Sequence, residues 1–384
     1  MNPFTFETTP RIVCEQGGAA RLAEHVKCFG PGPVFIVSDP GLVQAGVLAT
    51  ALKSLDDAGT PYTLFSEVQA DPPEAVVMQA VQAARAAKVS IVVGIGGGSS
   101  LDTAKLVALL ADSPQTLPEI YGVGLAKGRR LPLVQIPTTA GTGSEVTPIS
   151  IVTTPSNEKK GVVSPLLYPD LALLDSRLTL GLPPAITAMT GVDAMVHAIE
   201  AFSGRLKKNP LSDTFALKAL QLLYANIDRA VTHGAVDADA REQMLLGSLM
   251  AGMAFANSPV GAVHALAYPL GGHYHLPHGL TNSLMLVATL RFNLDSARGH
   301  YAQLGRAICP NDAADDVVMA ERFIEAIAAL VSRMPYAQNL RAAGVPQADL
   351  PMLARDAMNV QRLLVNNPRE VSLDDALALY SAAY

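Results

Sequence analysis

Hydrophobic and polar positions divide the chain into two parts of different character. In the first part, short apolar runs bounded by turn-forming residues alternate with stretches of helical periodicity. Five of these runs are predicted to be strands: residues 34–37, 90–93, 131–136, 150–153 and 171–174. Strands that alternate with helices typically build a parallel sheet with crossover helices. We therefore predict an N-terminal α/β domain over residues 1–181.

The pattern changes after the sequence LGLPP at residues 180–184. Strand signals disappear there, and alanine- and leucine-rich helical patterns continue almost to the end. A chain of 384 residues also exceeds the size at which one hydrophobic core usually keeps growing. We predict a second, all-α domain over residues 182–384.

Composition and charge exclude several classes of protein. Hydrophobic residues make up 49% of the chain and charged residues 16%, as in compact globular proteins. The net charge is -6 and no lysine- or arginine-rich run occurs, which argues against nucleic-acid binding. The N-terminus has no secretory apolar core, and the three cysteines form no CxxC motif. We predict a cytoplasmic protein in a reducing compartment.

One long segment, residues 244–290, contains no Asp, Glu, Lys or Arg. Its length would allow membrane insertion. Its three prolines, several glycines and four histidines would however be costly in lipid. We therefore interpret the segment as a buried helical core around a polar site, and we predict no membrane partner.

A glycine-rich turn follows the strand predicted at residues 90–93. Residues 94–100 read GIGGGSS and lead directly into a helical pattern. Glycines let a ligand approach the backbone closely, and a helix N-terminus attracts anions, so the turn predicts a pyrophosphate site. The run is not the usual dinucleotide fingerprint, because Ser99 stands at the third glycine position, and it is not a Walker loop. A turn that only packs a helix on a strand is the alternative interpretation.

Two further features of the sequence indicate that the ligand is a nucleotide and which nucleotide it is. Residues 138–144, TTAGTGS, supply hydroxyl and backbone donors after the strand predicted at 131–136. Because the carboxyl ends of parallel strands share one edge of a sheet, the two loops together favour a nucleotide over a lone phosphate. Asp39 follows the first strand, where a carboxylate binds the adenosine ribose and repels a 2'-phosphate, which favours NAD over NADP. The alternative for Asp39 is a simple Asp-Pro-Gly turn.

A metal site is predicted from the second part of the chain. Asp193 and His197 are four residues apart, so a helix places them on one face. Four of the eight histidines fall within residues 264–278, namely His264, His273, His275 and His278. Imidazole and carboxylate groups in an uncharged, apolar segment suit a divalent first-row metal ion.

The other polar groups of this kind are assigned by their surroundings. Glu200, three residues beyond His197, is either a partner of a ligand or part of a solvated helix face. His25, His233 and His300 lie in polar stretches and are predicted on the surface.

The motifs GGGSSLDTAK, PTTAGTGSEVT, GVDAMVHAIE and HALAYPLGG, followed by LPHG, closely resemble those of the iron-containing (group III) alcohol dehydrogenases over nearly the whole chain. The resemblance implies the dehydroquinate synthase-like fold, with an N-terminal dinucleotide-binding α/β domain, a C-terminal helical domain and an active site in the cleft between them. It implies that Fe2+, with Zn2+ or another divalent ion as the alternative, is held by Asp193, His197, His264 and His278. The implied NAD contacts are Asp39, Gly96, Gly97, Gly98, Ser99, Asp102, Thr138, Thr139, Thr142, Ser144 and Lys160.

The chain departs from this family at one position. Many members read His-Ala-x-Ala-His, with a proposed proton relay at the second histidine, and this chain has Tyr268 there. The relay then falls to Tyr268, to His273 or His275, or to water. Tyr268 and His273, together with the ligand His278, are the candidate catalytic residues.

The predicted function is a metal-dependent oxidoreductase that transfers hydride between NAD(H) and a small alcohol, aldehyde or ketone. An apolar pocket favours a small neutral alcohol or diol. A hydroxyacid-oxoacid transhydrogenase or another dehydrogenase of the superfamily, such as a glycerol dehydrogenase, is the alternative. A dehydroquinate synthase-like lyase would need basic groups for a phosphorylated substrate, and the uncharged segment 244–290 offers none. A non-enzymatic sensor would have no need of four ligands. The resemblance also implies a homodimer or higher homo-oligomer.

Overall fold

The computed structural model describes residues 3–156, 158–310, 312 and 314–384. These form two compact units, one of Glu7–Gly181 and one of Leu182–Tyr384 with residues 3–6. The strands of the first unit are β1 (Ile12–Cys14), β2 (Val34–Val37), β3 (Tyr62–Phe65), β4 (Ile91–Gly96), β5 (Gly122–Val123), β6 (Leu133–Pro137), β7 (Ile149–Thr153), β8 (Lys159–Val163) and β9 (Leu171–Leu174). Its α-helices are α1 (Leu22–Lys27), α2 (Pro40–Gln44), α3 (Ala49–Asp57), α4 (Glu74–Ala86) and α5 (Gly98–Leu110).

The main sheet has six strands in the order β3–β2–β4–β6–β9–β1, and every neighbouring pair is parallel. In β2, Phe35 and Val37 join a core cluster with α4 and α5, whereas Val34 and Ile36 join a second cluster with α1 and α3. Since helices cover both faces of the sheet, its central strands read as continuous apolar runs. This is the parallel α/β domain that the sequence predicts.

The register of β4 and β6 brings the two predicted nucleotide loops to the same edge of the sheet. Gly94 pairs with Gln135 and Gly96 pairs with Pro137, so the two strands end side by side. The amide of Thr138 donates to the Gly96 carbonyl at 3.0 Å, which joins the last residue of β4 to the first residue of the second loop.

A second sheet was not predicted. It has three strands in the order β5–β8–β7, and β7 and β8 pair antiparallel. The predicted strand 150–153 belongs to this sheet as β7. The sequence of β8, KKGVV, begins with two exposed charged residues and gives no strand signal by itself. Pairing with β7 makes it a strand.

The second unit is entirely helical among the described residues, as predicted. Its α-helices are α6 (Pro184–Ser203), α7 (Pro210–His233), α8 (Ala238–Asn257), α9 (Ala262–Tyr274), α10 (His278–Ile308), α11 (Asp316–Ser332), α12 (Leu350–Ala357), α13 (Gln361–Leu364) and α14 (Leu373–Ala382). The helix α6 packs against α7, α8 and α10, and α9 packs against α10, α12 and α13. Because α10 packs against both α6 and α9, these contacts bring together segments that are distant in sequence.

Local sequence explains where the long helices begin. Pro184 occupies the first turn of α6, where its missing N–H costs no hydrogen bond. Asn209 caps α7 by accepting from the amide of Ser212, and the Ser212 hydroxyl accepts from the Asn209 amide in return. No single described helix has the length and apolar character of a membrane span. The helices α8 and α9 reach that length and apolar character only when they are taken together, and the chain bends by 104° between them.

The surface prediction for His25 is wrong. His25 is only 6% exposed, because α1 turns His25 inward together with Leu22 and Val26. The polar residues around it in sequence lie on the other side of this short helix. His233 is exposed as predicted, and His300 is half-buried.

Candidate metal centre and nucleotide loops

Four side chains from three helices meet in the helical unit. Asp193 and His197 come from one face of α6, His264 from the first turn of α9, and His278 from the first residue of α10. One ligand atom from each of the four lies within 4.8 Å of all the others. The Nε2 atoms of His264 and His278 lie 3.9 and 3.7 Å from Asp193 Oδ1.

The surroundings of this cluster suit a divalent cation. Asp193, His197 and His264 are at most 5% exposed, whereas the His278 side chain is 38% exposed, so the cluster is accessible on the His278 side. Three imidazoles and one carboxylate are ligands that iron, zinc and related ions accept. A buried carboxylate also requires a positive partner. The donor set and its burial therefore fit the predicted metal ion.

The carboxyl group of Asp193 is held in its charged form. Burial alone would raise its pKa, but His197, His278 and His264, together with a hydrogen bond from Asn282, bring the pKa below its usual value. An ionised carboxylate is the form that binds a cation.

Glu200 is the partner of a candidate ligand and not part of a solvated face. It is 7% exposed, and its Oε2 lies 2.6 Å from Nδ1 of His264. Its Oε1 accepts from the Val263 amide at 2.7 Å, which fixes the carboxylate at the start of α9. When Nδ1 of His264 carries the proton and donates a hydrogen bond to Glu200, the lone pair on Nε2 is free for a metal.

Asn282 is a member of the cluster that sequence reasoning missed. It lies on α10 one turn after His278, and its Nδ2 lies 2.5 Å from Asp193 Oδ1. The same nitrogen is 3.1 Å from Nε2 of His264 and 3.2 Å from Nε2 of His278. Its four-residue spacing from His278 is the signal that could have indicated it.

The candidates for the proton relay lie in different places. The ring of Tyr268 is half-buried, with its centroid 6.2 Å from that of His278. His273 is exposed, and its Nε2 lies 2.7 Å from Asp356 Oδ2. His275 ends α9 in the left-handed region, with a φ of 53°. Which of them carries a proton stays a prediction.

The two glycine-rich loops of the α/β unit are in contact. The helix α5 begins at Gly98, and a Cβ placed on this glycine would lie 2.8 Å from Cγ2 of Thr142. A Cβ on Gly97 would lie 3.6 Å from Thr139. The N–H groups in the first turn of a helix lack partners within the helix. Gly97, Gly98 and the threonines of the second loop thus form an edge suited to an anion.

Asp102 and Ser144, both predicted to contact NAD, bind each other. Asp102 Oδ1 accepts from the Ser144 hydroxyl at 2.6 Å, and its Oδ2 accepts from the Ile151 amide at 2.9 Å. Asp102 thereby ties α5 to the second loop and to β7. Ser99, the other predicted polar contact on α5, accepts from the Asp71 amide through its hydroxyl oxygen at 3.2 Å.

A buried charged group next to Asp102 was missed from the sequence. Lys105 is fully buried, and its Nζ donates to the Ile149 carbonyl at 2.7 Å and to the Thr147 hydroxyl at 3.2 Å. Burial lowers the pKa of Lys105 to about 8, although Asp102 and Glu145 act in the opposite direction. Burial raises the pKa of Glu145 to about 7. The single lysine within the apolar helical sequence TAKLVALL is the signal that could have indicated a buried charge.

The remaining predicted NAD contacts lie at the ends of other elements. Asp39 caps α2 by accepting from the Leu42 amide at 3.0 Å through Oδ1, so Pro40 and Gly41 begin a short helix and not a simple turn, and one carboxylate oxygen is engaged. Lys160 lies on β8 with its side chain half-exposed, and its Nζ lies 3.4 Å from Glu158 Oε2 and 6.0 Å from the ring centre of Tyr121.

Comparison with known proteins agrees with these features. A model described as iron-containing alcohol dehydrogenase matches residues 9–176, and one described as its C-terminal domain matches residues 187–384. The chain is 37% identical to a sulfoacetaldehyde reductase from Bilophila wadsworthia over 99% of both chains. A solved 1,3-propanediol oxidoreductase superposes with a TM-score of 0.95 and 31% identity over 100% of both chains. A sulfoacetaldehyde reductase from Bifidobacterium kashiwanohense, solved in complex with NAD+, has a TM-score of 0.90 and 28% identity over 100% of this chain and 99% of its own.

Fold, loops and comparisons together define an NAD(H)-dependent oxidoreductase that acts on small alcohols and aldehydes. Within this class, the chain belongs to the iron-containing alcohol dehydrogenase family. The predicted family and the predicted enzyme class are confirmed.

Proposed function

We propose that this chain interconverts small aldehydes and alcohols with NAD(H) while Asp193, His197, His264 and His278 hold one Fe2+ ion. The meeting of these four ligand atoms within 4.8 Å carries the proposal. The family name supports iron, and the donor set also suits zinc. The glycine-rich loops of the first unit and the metal cluster of the second serve one reaction.

The residues of the cluster have separate tasks in this proposal. A bound divalent cation supplies a Lewis acid that polarises a carbonyl group and stabilises negative charge on its oxygen. Asp193 brings the negative charge of the ligand set, and Glu200 orients the His264 ring by accepting a hydrogen bond from its Nδ1, so that Nε2 faces the metal. The accessible side at His278 admits the substrate, whereas the buried side excludes water. The first turn of α5 and the hydroxyls of Thr138, Thr139 and Thr142 bind the pyrophosphate of NAD.

The proposal is tested with a panel of aldehydes and anaerobically purified protein loaded with Fe2+ or Zn2+. NADH oxidation is expected with propanal, 3-hydroxypropanal and sulfoacetaldehyde, and a chelator is expected to abolish it. The sulfoacetaldehyde assay has a structural reason, since the Arg362 guanidinium lies 5.9 Å from the Tyr268 ring centre and offers a cation to an acidic group. Lack of turnover with every aldehyde and both metals would contradict the proposal. Hydride exchange between two substrates without free NAD would establish the transhydrogenase alternative.

We further propose that Tyr268 carries the proton at the position where many relatives have histidine. Its ring faces His278 and is partly accessible, whereas His273 is bound to Asp356. In the Tyr268→Phe variant we expect kcat to fall by about a hundredfold, because the ring remains and only the phenolic proton is lost. The KM for NADH is expected to stay unchanged.

A matched variant, Tyr268→His, restores the group found in those relatives and is expected to recover turnover with a pH profile shifted toward the histidine range. Full turnover in Tyr268→Phe would instead assign proton transfer to water. The measurement is kcat against pH for wild type and both variants.

The compartment and the assembly stay predictions. Cys14, Cys28 and Cys309 form no disulfide bond among the described residues, which supports a reducing compartment such as the cytoplasm. Light scattering of the purified protein measures the molar mass of the assembly and thus tests the predicted homodimer.

A further inference from the structure

The presence of an asparagine at position 282 is not explained by the stability of the fold. Its side chain is fully buried on α10, yet its Oδ1 has no hydrogen-bond partner among the described residues. A buried amide oxygen without a partner disfavours folding. An apolar residue of the same size would avoid this cost, so another property of the amide accounts for its presence.

The other end of the amide points to that property. Nδ2 lies within 3.2 Å of three atoms, and all three belong to the candidate metal ligands Asp193, His264 and His278. The shortest contact, 2.5 Å, is made to the only anion among them. A hydrogen bond from an amide to a carboxylate is charge-assisted and therefore strong.

The three contacts of Nδ2 differ in whether the contacted atom can bind a metal ion at the same time. An imidazole nitrogen has one lone pair, so it cannot both accept from Asn282 and bind a metal ion. A carboxylate oxygen has two lone pairs and can do both. The contact with Asp193 is therefore the one that is compatible with metal binding.

We propose that Asn282 is a positioning residue of the metal centre, which holds the carboxylate of Asp193 in the orientation that binds the ion. This inference rests on the proposed function, because it requires a metal at the four ligands. Asn282 acts through Asp193, and its effect is on the affinity for the metal. Groups that orient a ligand typically contribute ten- to a hundredfold to metal affinity.

The test uses Asn282→Leu, which keeps the volume of the side chain and removes the amide. Fe2+ and Zn2+ dissociation constants are measured anaerobically by competition with a chelator. We expect affinity about 30-fold weaker than in wild type, and a smaller rise in melting temperature on metal addition. The Asn282→Ser variant keeps a hydroxyl donor and is expected to recover part of the affinity. It also provides the measurement if the leucine variant does not fold.

The matched control is Asn226→Leu, which changes another buried helical asparagine. Its Nδ2 donates to the Leu222 carbonyl and its Oδ1 accepts from Arg229, both on its own helix α7. Its metal affinity is expected to equal that of wild type. Wild-type affinity in both Asn282 variants would overturn the role of Asn282 and leave the metal proposal intact. Failure of the wild type to bind either ion would overturn both.

Discussion

The His264→Ala variant is expected to lose its metal ion and almost all of its turnover. His264 contacts every part of the centre: its Nδ1 is bound to Glu200, its Nε2 faces Asp193, and its ring stacks on His197 with centroids 4.8 Å apart. Because loss of a group that only orients a ligand costs up to about a hundredfold in metal affinity, loss of the ligand itself should cost more. Elemental analysis after anaerobic purification and NADH-linked turnover measure the two effects.

The control for this variant is His233→Ala, which removes an exposed histidine at the end of α7. Metal content and turnover are expected to equal those of wild type. Full turnover in metal-free His264→Ala protein would contradict the role of a metal ion in the reaction. Full metal content with reduced turnover would show that His264 is not a required ligand.

The largest effect on stability is expected from Lys105→Met. Methionine has nearly the same length, but it removes the positive charge that acts on Asp102 and Glu145. It also removes the hydrogen bonds to Ile149 and Thr147. Removing one member of a buried charged group typically destabilises a protein by about 3 kcal/mol. The free energy of unfolding at pH 7.5, obtained by urea titration, measures this change.

The loss should depend on pH in a defined way. Burial raises the pKa of Glu145 to about 7, so at pH 5 this carboxyl is protonated and needs no cation. As the pH rises through 7, Glu145 ionises in the wild type beside Lys105, whereas the variant offers it no positive charge. The difference in unfolding free energy therefore grows from pH 5 to pH 7.5. It grows further above pH 8, because Lys105 loses its proton in the folded wild type while the unfolded chain still keeps it, and the methionine variant has no such group.

A comparison lysine is available in the same unit. Lys53 on α3 pairs with Asp57 at 2.7 Å, but its side chain is 72% exposed. Exposed pairs contribute little, so Lys53→Met is expected to leave the unfolding free energy unchanged within error. Equal destabilisation of Lys105→Met at pH 5 and pH 7.5 would indicate lost packing and not lost charge.

Prediction from the sequence succeeded where the information is local. Four-residue spacing is enough to place Asp193 and His197 on one helix face, because that distance is fixed by the helix itself. Apolar runs mark the central strands, because both faces of their sheet are buried. The β8 strand was not predicted, because its charged residues have no strand pattern of their own and adopt an extended conformation by pairing with β7.

The metal site shows the same difference between what local sequence predicts and what only long-range packing decides. From the residues alone, four histidines in 264–278 were equivalent candidates, and the resemblance to a family was needed to choose between them. The packing of α6, α9 and α10 brings His264 and His278 to Asp193 and leaves His273 with Asp356. Glu200 and His264 are 64 residues apart in sequence. No periodicity carries information over that distance.

The sequence by itself determined the two-part organisation, the parallel sheet with its glycine-rich turns, and the enzyme family, since these follow from local periodicity and from motifs. The tertiary structure alone decided that Glu200 is buried against His264, that Asn282 lies on Asp193, and that Lys105 and His25 are inside. Burial and long-range contact depend on how complete helices pack. A residue's neighbours in sequence do not fix which atoms meet when that packing is formed.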